Sequence, residues 1–131
     1  MGEGLEPTGD PGWFEAARVP DVPVGRAIRV TVSGSHVLLF RTEDRVFAAS
    51  NVCTHQGAPL HKGTVRVSGS IVSATCPLHG STFQLTDGRV LRGPATRPLP
   101  VYEARVDGDL VQVRPVRKRP ASATGGVDDE I

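Results

Sequence analysis

The sequence predicts an all-β domain of many short antiparallel strands. Three observations lead there. Apolar residues alternate with polar ones, as Ile28, Val30 and Val32 do with Arg29 and Thr31. Turn-forming pairs such as Ser68-Gly69 and Asp107-Gly108 punctuate these runs at short intervals. Helical spacing is sustained nowhere over about ten residues, and eleven prolines would interrupt it.

Along the chain, Gly2, Gly4, Pro7, Gly9, Pro11 and Gly12 make a segment too poor in apolar side chains to bury its backbone. Residues 1–11 are therefore read as a flexible lead-in to a domain over 12–115. Ile28 to Val32 reads as a half-buried strand, and Ser33-Gly34-Ser35 turns the chain into His36 to Arg41, which is almost continuously apolar. Thr42-Glu43-Asp44-Arg45 turns it again into Val46 to Ser50, completing a meander. Shorter hairpins follow, one joining Thr64–Val67 to Ser70–Thr75 and one opening at Thr82–Leu85 with Thr86-Asp87-Gly88 as its turn. Tyr102, Ala104 and Val106 line one face, and Val111 and Val113 return after Asp107-Gly108. Past Arg114 the pattern stops, and residues 116–131 are read as a disordered tail, basic at Arg117-Lys118-Arg119 and acidic at Asp128-Asp129-Glu130. Its basic cluster suits a solvated linker or a docking tail, and the sequence does not choose.

A length of 131 residues suits one domain with a modest core. Fifteen basic and fourteen acidic side chains leave a net charge of +1. That balance argues against nucleic-acid binding, which needs a basic surplus to displace counterions from phosphates, and gives no attraction to an anionic membrane. No apolar run is longer than Val37 to Phe40, far short of a membrane span. The N-terminal residues lack the basic start and apolar stretch of a secretory signal, so a cytoplasmic location is expected.

The chemistry concentrates in two segments, Cys53-Thr54-His55-Gln56-Gly57 and Cys76-Pro77-Leu78-His79-Gly80-Ser81, which hold the only two cysteines. A Cys53–Cys76 disulfide is disfavoured in a reducing compartment and ignores the adjoining histidines. A Cys–His nucleophile would need a third, orienting residue, and none is evident. Four Cys and His side chains in two close pairs satisfy a four-ligand metal site on spacing alone. In ordinary zinc fingers one half brings both cysteines and the other both histidines, whereas here each half is mixed. If each segment spans two adjacent irons, one iron receives two thiolates and the other two imidazoles. A mixed Cys₂His₂ zinc site stays open, because zinc has no preference for which loop supplies which ligand.

These segments resemble the two halves of the Rieske [2Fe–2S] motif. The resemblance extends to Gly57-Ala58-Pro59-Leu60, to Phe83 and Asp87-Gly88, to Gly93-Pro94-Ala95 with Pro98-Leu99, to Trp13 and to the strand Arg45–Ala48. It covers roughly residues 12 to 115, and the gap between the halves is a few residues longer than is usual, a length the hairpin at Ser68-Gly69 would absorb cheaply. The resemblance implies a Rieske-like fold with a cluster-binding two-loop subdomain. It implies one [2Fe–2S] cluster, with Cys53 and Cys76 on the buried iron and His55 and His79 on the outer one. Gly57 and Gly80 are then expected to let backbone amides approach the sulfurs, Ser81 to donate to a sulfur, and Pro94 to lie in a loop that covers the cluster.

High-potential relatives carry an extra cysteine in each loop, tied as a disulfide. Leu78 stands at one of these places and Ala58 or a neighbour at the other, and Phe83 replaces a hydroxylated ring. The expected potential therefore lies in the lower part of the Rieske range of roughly −150 to +300 mV, with Ser81 pulling upward. His61 is expected to be an exposed loop residue, His36 has no assigned role, and Trp13 and Phe40 read as core.

Such a cluster passes one electron at a time. The sequence has no Gly-rich nucleotide loop and no second ligand set for a mononuclear iron. The implied role is a ferredoxin that carries electrons from a flavin-dependent reductase to a terminal oxygenase or other oxidoreductase, docking near His55 and His79. The alternatives are a small subunit of a larger reductase of the nitrite reductase type, or a zinc-stabilised module for protein interactions.

Overall fold

The computed structural model describes residues 12–116. The lead-in expected over 1–11, and all of the expected tail except Val116, lie outside the described residues. Within them the chain forms two antiparallel sheets and two short 3₁₀ turns, Val19–Asp21 and Leu60–Lys62.

The larger sheet contains β1 (Phe14–Arg18), β2 (Ile28–Val32), β3 (Ser35–Arg41), β4 (Val46–Ser50), β9 (Val101–Asp107) and β10 (Leu110–Pro115), in the order β1-β10-β9-β4-β3-β2. All six strands feed one inner core that includes Val22, Val32, Val37, Leu39, Ala48, Val111 and Val113, with Phe14, Tyr102 and Ala104 packed against it. The sheet therefore curls around this core and brings its edge strands β1 and β2 together. The smaller sheet contains β5 (Thr64–Ser68), β6 (Ile71–Thr75), β7 (Thr82–Gln84) and β8 (Val90–Arg92), in sequence order. It packs over the outer face of β3 and β4 through a second core of Leu38, Phe40, Phe47, Ala49, Val72, Ala74, Phe83 and Leu85.

The unbroken apolar run of β3 has its reason here. Val37 and Leu39 enter the inner core while Leu38 and Phe40 enter the core between the sheets, so both faces are buried. The hairpins form as expected, with Val67 opposite Val72 and Leu110 opposite Asp107 across their turns. Two features were not read from the sequence. Phe14–Arg18 shows no alternation that announces a strand, yet pairing with β10 makes it one, with a bulge between Glu15 and Ala17. Val106 is half exposed, because β4 accompanies β9 only at Val101 and Tyr102. Trp13 is buried as expected, but beneath charge: the guanidinium carbons of Arg105 and Arg114 lie 4.1 and 4.6 Å from its ring centroid.

Candidate metal centre

The first Cys/His loop leaves β4, and the second joins β6 to β7. Although the loops differ in sequence, their backbones close in the same way. The amide of Gly57 donates to Cys53 O at 2.8 Å and that of Cys53 to Ala58 O at 3.0 Å. In the second loop Gly80 donates to Cys76 O at 3.2 Å and Cys76 to Ser81 O at 2.7 Å. Each loop is one turn of five residues closed by a left-handed glycine, at φ +79° for Gly57 and +82° for Gly80, where a side chain is strained. The glycines thus act through conformation. Their amides are engaged by the cysteine carbonyls, and it is the amide of His55 that approaches a sulfur, at 3.5 Å from Cys53 Sγ.

The four candidate ligands are sorted by depth. Cys53 and Cys76 are buried free thiols, 2% and 4% exposed, and belong to the core between the sheets. His55 is half-buried and His79 exposed. Their rings meet edge to face, with centroids 5.4 Å apart. Burial pushes the Cys53 thiol above its usual range, and the adjacent Cys76 thiol adds to this, against the opposing pull of the His55 and Gln56 amides. Two thiolates side by side in such a place need a cation's charge, which is what a metal centre supplies. No three His, Cys, Asp or Glu side chains among the described residues converge well enough to hold a single ion.

A third segment closes the site. Ala95 is buried in the same core as both cysteines, and its amide donates to Ser81 Oγ at 3.0 Å. Thr54 Oγ1 donates to Arg97 O at 2.7 Å. The segment containing Pro94, joined to Gly93 by a cis peptide bond, is thus clasped once by each ligand loop. Ser81 is fully buried; its oxygen accepts this amide, which leaves its own O–H free as a donor.

Two contributors escaped the sequence reading. Thr54 is one, and Asn51 is the other. Buried Asn51 accepts the His61 amide at 2.8 Å through Oδ1, and its Nδ2 lies 2.9 Å from His61 Nδ1, while its carbonyl takes the Leu60 amide. It pins both ends of the segment that carries Cys53 and His55. His61 is therefore half-buried and partnered, not an exposed loop residue, and burial followed by the nearby Arg29 and Lys62 lowers its pKa. An Asn at a turn is so ordinary that only the fold marks it.

Fold and site together define a class: small two-sheet β domains whose paired loops bring two buried thiols and two outer imidazoles to one end. Residues 12–103 match the Rieske [2Fe-2S] domain, and the chain belongs to that family. The ferredoxin component of the naphthalene 1,2-dioxygenase system of Pseudomonas aeruginosa is 31% identical over 101 residues, covering 77% of this chain and 93% of that protein. Among solved structures, a chain in the complex of reduced oxygenase and oxidized ferredoxin of carbazole 1,9a-dioxygenase is 30% identical at a TM-score of 0.69, covering 84% of this chain and 99% of that one. A putative NADH-dependent nitrite reductase small subunit from Mycobacterium tuberculosis is 34% identical at a TM-score of 0.70, covering 81% and 96%. Family membership implies one Rieske-type [2Fe–2S] cluster, and the donor set fits it: sulfur for iron that is buried, imidazole for iron near solvent.

Proposed function

We propose that Cys53 and Cys76 hold the inner iron and His55 and His79 the outer iron of this cluster, and that the protein is a one-electron carrier to a terminal oxygenase. One observation carries the ligand assignment. Each loop contributes one Cys and one His, yet in space the two sulfurs lie together inside and the two rings together outside. A solitary zinc ion would take all four donors on one centre and carry no inorganic sulfide, a difference that metal and sulfide analysis reads directly.

When bound, the cluster supplies reversible uptake and release of one electron. The chain's own residues do the rest. The core around Cys53 and Cys76 excludes water, the clasped segment at Gly93–Arg97 covers one side, and the rings of His55 and His79 form the exit toward a partner. With no further cysteine in either loop, and with Phe83 in place of a hydroxylated ring, the potential lies in the lower part of the Rieske range of roughly −150 to +300 mV, with Ser81 pulling upward. The relatives named for dioxygenase ferredoxins support the oxygenase as acceptor. A flavin-dependent reductase is the matching donor, and the cytoplasm is the matching compartment. The likeness to the nitrite reductase small subunit favours a second reading, in which the domain serves one large reductase. A stable co-purifying large subunit would single that reading out.

Iron, acid-labile sulfide and the electron paramagnetic resonance spectrum of the reduced protein test the assignment. The expected result is two irons, two sulfides and a mixed thiolate–imidazole spectrum. Cys53→Ser and Cys76→Ser should abolish assembly, and His55→Cys should keep a cluster at lower potential, since thiolate adds negative charge to the outer iron. Zinc without sulfide, or an unchanged potential in His55→Cys, would overturn it.

A further inference from the structure

Charge is divided unevenly between the two halves of the fold. Over residues 12–50 and 101–116 seven basic side chains balance seven acidic ones. Over residues 51–100, which carry both ligand loops and the smaller sheet, Lys62, Arg66, Arg89, Arg92 and Arg97 face the single carboxylate of Asp87. A net charge of +1 for the whole chain conceals this asymmetry.

Three of these cations belong to residues whose backbone adjoins the ligand loops. Arg97 supplies the carbonyl that Thr54 holds, one residue from His55. Arg92 is in register with Thr82, whose hydroxyl donates to Gly80 O, next to His79. Lys62 precedes Gly63, which packs so tightly on the entry to the second loop that a Cβ would lie 1.9 Å from Thr75 O and 3.1 Å from Pro77 Cδ. All three side chains are exposed, and none has a carboxylate partner among the described residues. Asp87 lies away from the rim, at the turn after β7, where it is engaged by Gln84 and the Arg89 amide. The ligand loops also expose apolar side chains: Leu78, within the second loop, is 52% exposed, and Val52, beside Cys53, is 43% exposed.

We propose that this rim is a basic docking collar for a redox protein whose own electron-exchanging group is framed by carboxylates, with Leu78 and Val52 as the surfaces dehydrated on contact. The proposal rests on the carrier reading above and adds the charge of the partner to it. Unpaired cations cost little in water and speed encounter with an anionic face, while apolar side chains beside the exit hold the pair once met.

The test uses full-length, cluster-loaded protein, reduced and mixed in a stopped-flow instrument with ferricyanide or with hexaammineruthenium(III). Each acceptor takes one electron, becoming ferrocyanide or hexaammineruthenium(II), and returns the cluster to its oxidised state. Arg97→Glu is compared with Arg26→Glu, the same charge change near Arg41, at the end of β3 remote from His36 and Asn51. At low ionic strength Arg97→Glu should slow ferricyanide severalfold and speed the ruthenium complex, and Arg26→Glu should do much less. Lys62→Glu/Arg92→Glu/Arg97→Glu should widen the effect to about tenfold or more. The differences should vanish near about 1 M salt, where the screening length is about 3 Å. As a second readout, poly-L-glutamate should protect the backbone near residues 52–57, 77–80 and 92–97 from hydrogen exchange in the native protein but not in the triple variant. Equal behaviour of Arg97→Glu and Arg26→Glu, or protection elsewhere, overturns the collar. A protein that neither acceptor oxidises would sink the carrier reading instead, while the polyglutamate footprint needs no electron transfer.

Discussion

Ser81 shows how one hydroxyl decides what a site becomes. It has no solvent exposure, and it takes the amide of Ala95, fourteen residues further along the chain, as its partner. Ser81→Ala would leave that buried N–H unsatisfied, at a cost of about 1–3 kcal/mol in unfolding free energy. The hydroxyl's own hydrogen stays free for a sulfur of the cluster, so the reduction potential should fall in the same variant. Denaturant melts and a redox titration check both halves, and an unchanged potential would show that Ser81 does not serve the cluster directly. The residue-scale features legible beforehand were the local ones. The Cys and His spacing within each loop is written in neighbouring positions, whereas the turn-closing role of Gly57 and Gly80 emerged only with their backbone conformation. The partners of Ser81 and Thr54 were not legible, since each lies on a segment that only the fold brings near.

At the scale of elements, the stretch from Asn51 to His61 behaves as one braced loop. Asn51 grips His61 at the main chain and side chain, and the His61 ring nitrogen facing Asn51 Nδ2 must be an acceptor, so the ring is neutral. Burial lowers the pKa of His61 below its ordinary value near 6.5. In the unfolded chain the ring takes up a proton as pH falls through about 6.5, whereas the folded protein resists it until lower pH. Folding stability should therefore be fully present above that range and decline as pH drops below it. His61→Gln, which keeps a polar group opposite Asn51, should flatten part of this decline relative to the unsubstituted protein. Melts at pH 5.5 and pH 7.5 compare the two, and identical pH dependence would count against the brace. Strands and hairpins at this scale were readable from alternation and turn residues. β1 was not, because its strand conformation is imposed by β10 rather than by its own pattern.

The whole molecule joins two bodies of different dependence. The inner core of the curled sheet contains no cysteine, while the core between the sheets includes Cys53, Cys76 and Ala95. Removal of iron by a chelator under reducing conditions should loosen the second body first. Hydrogen exchange is expected to rise across residues 51–100, while β3, β4, β9 and β10 keep most of their protection around Val37, Leu39, Val111 and Val113. Uniform loss of protection would mean that the cluster supports both cores alike.

By itself the sequence determined the β class, the turns, the family motif and the identity of the four candidate ligands, because each is encoded in periodicity or in residues a few positions apart. The tertiary structure alone decided the depth of each donor, with sulfurs inside and rings at the rim. It also decided the double burial of β3, the clasp on the Pro94 segment and the placement of Lys62, Arg92 and Arg97 on backbone that adjoins the ligand loops. These depend on which distant segments meet, and that is settled only when two sheets close over a shared core.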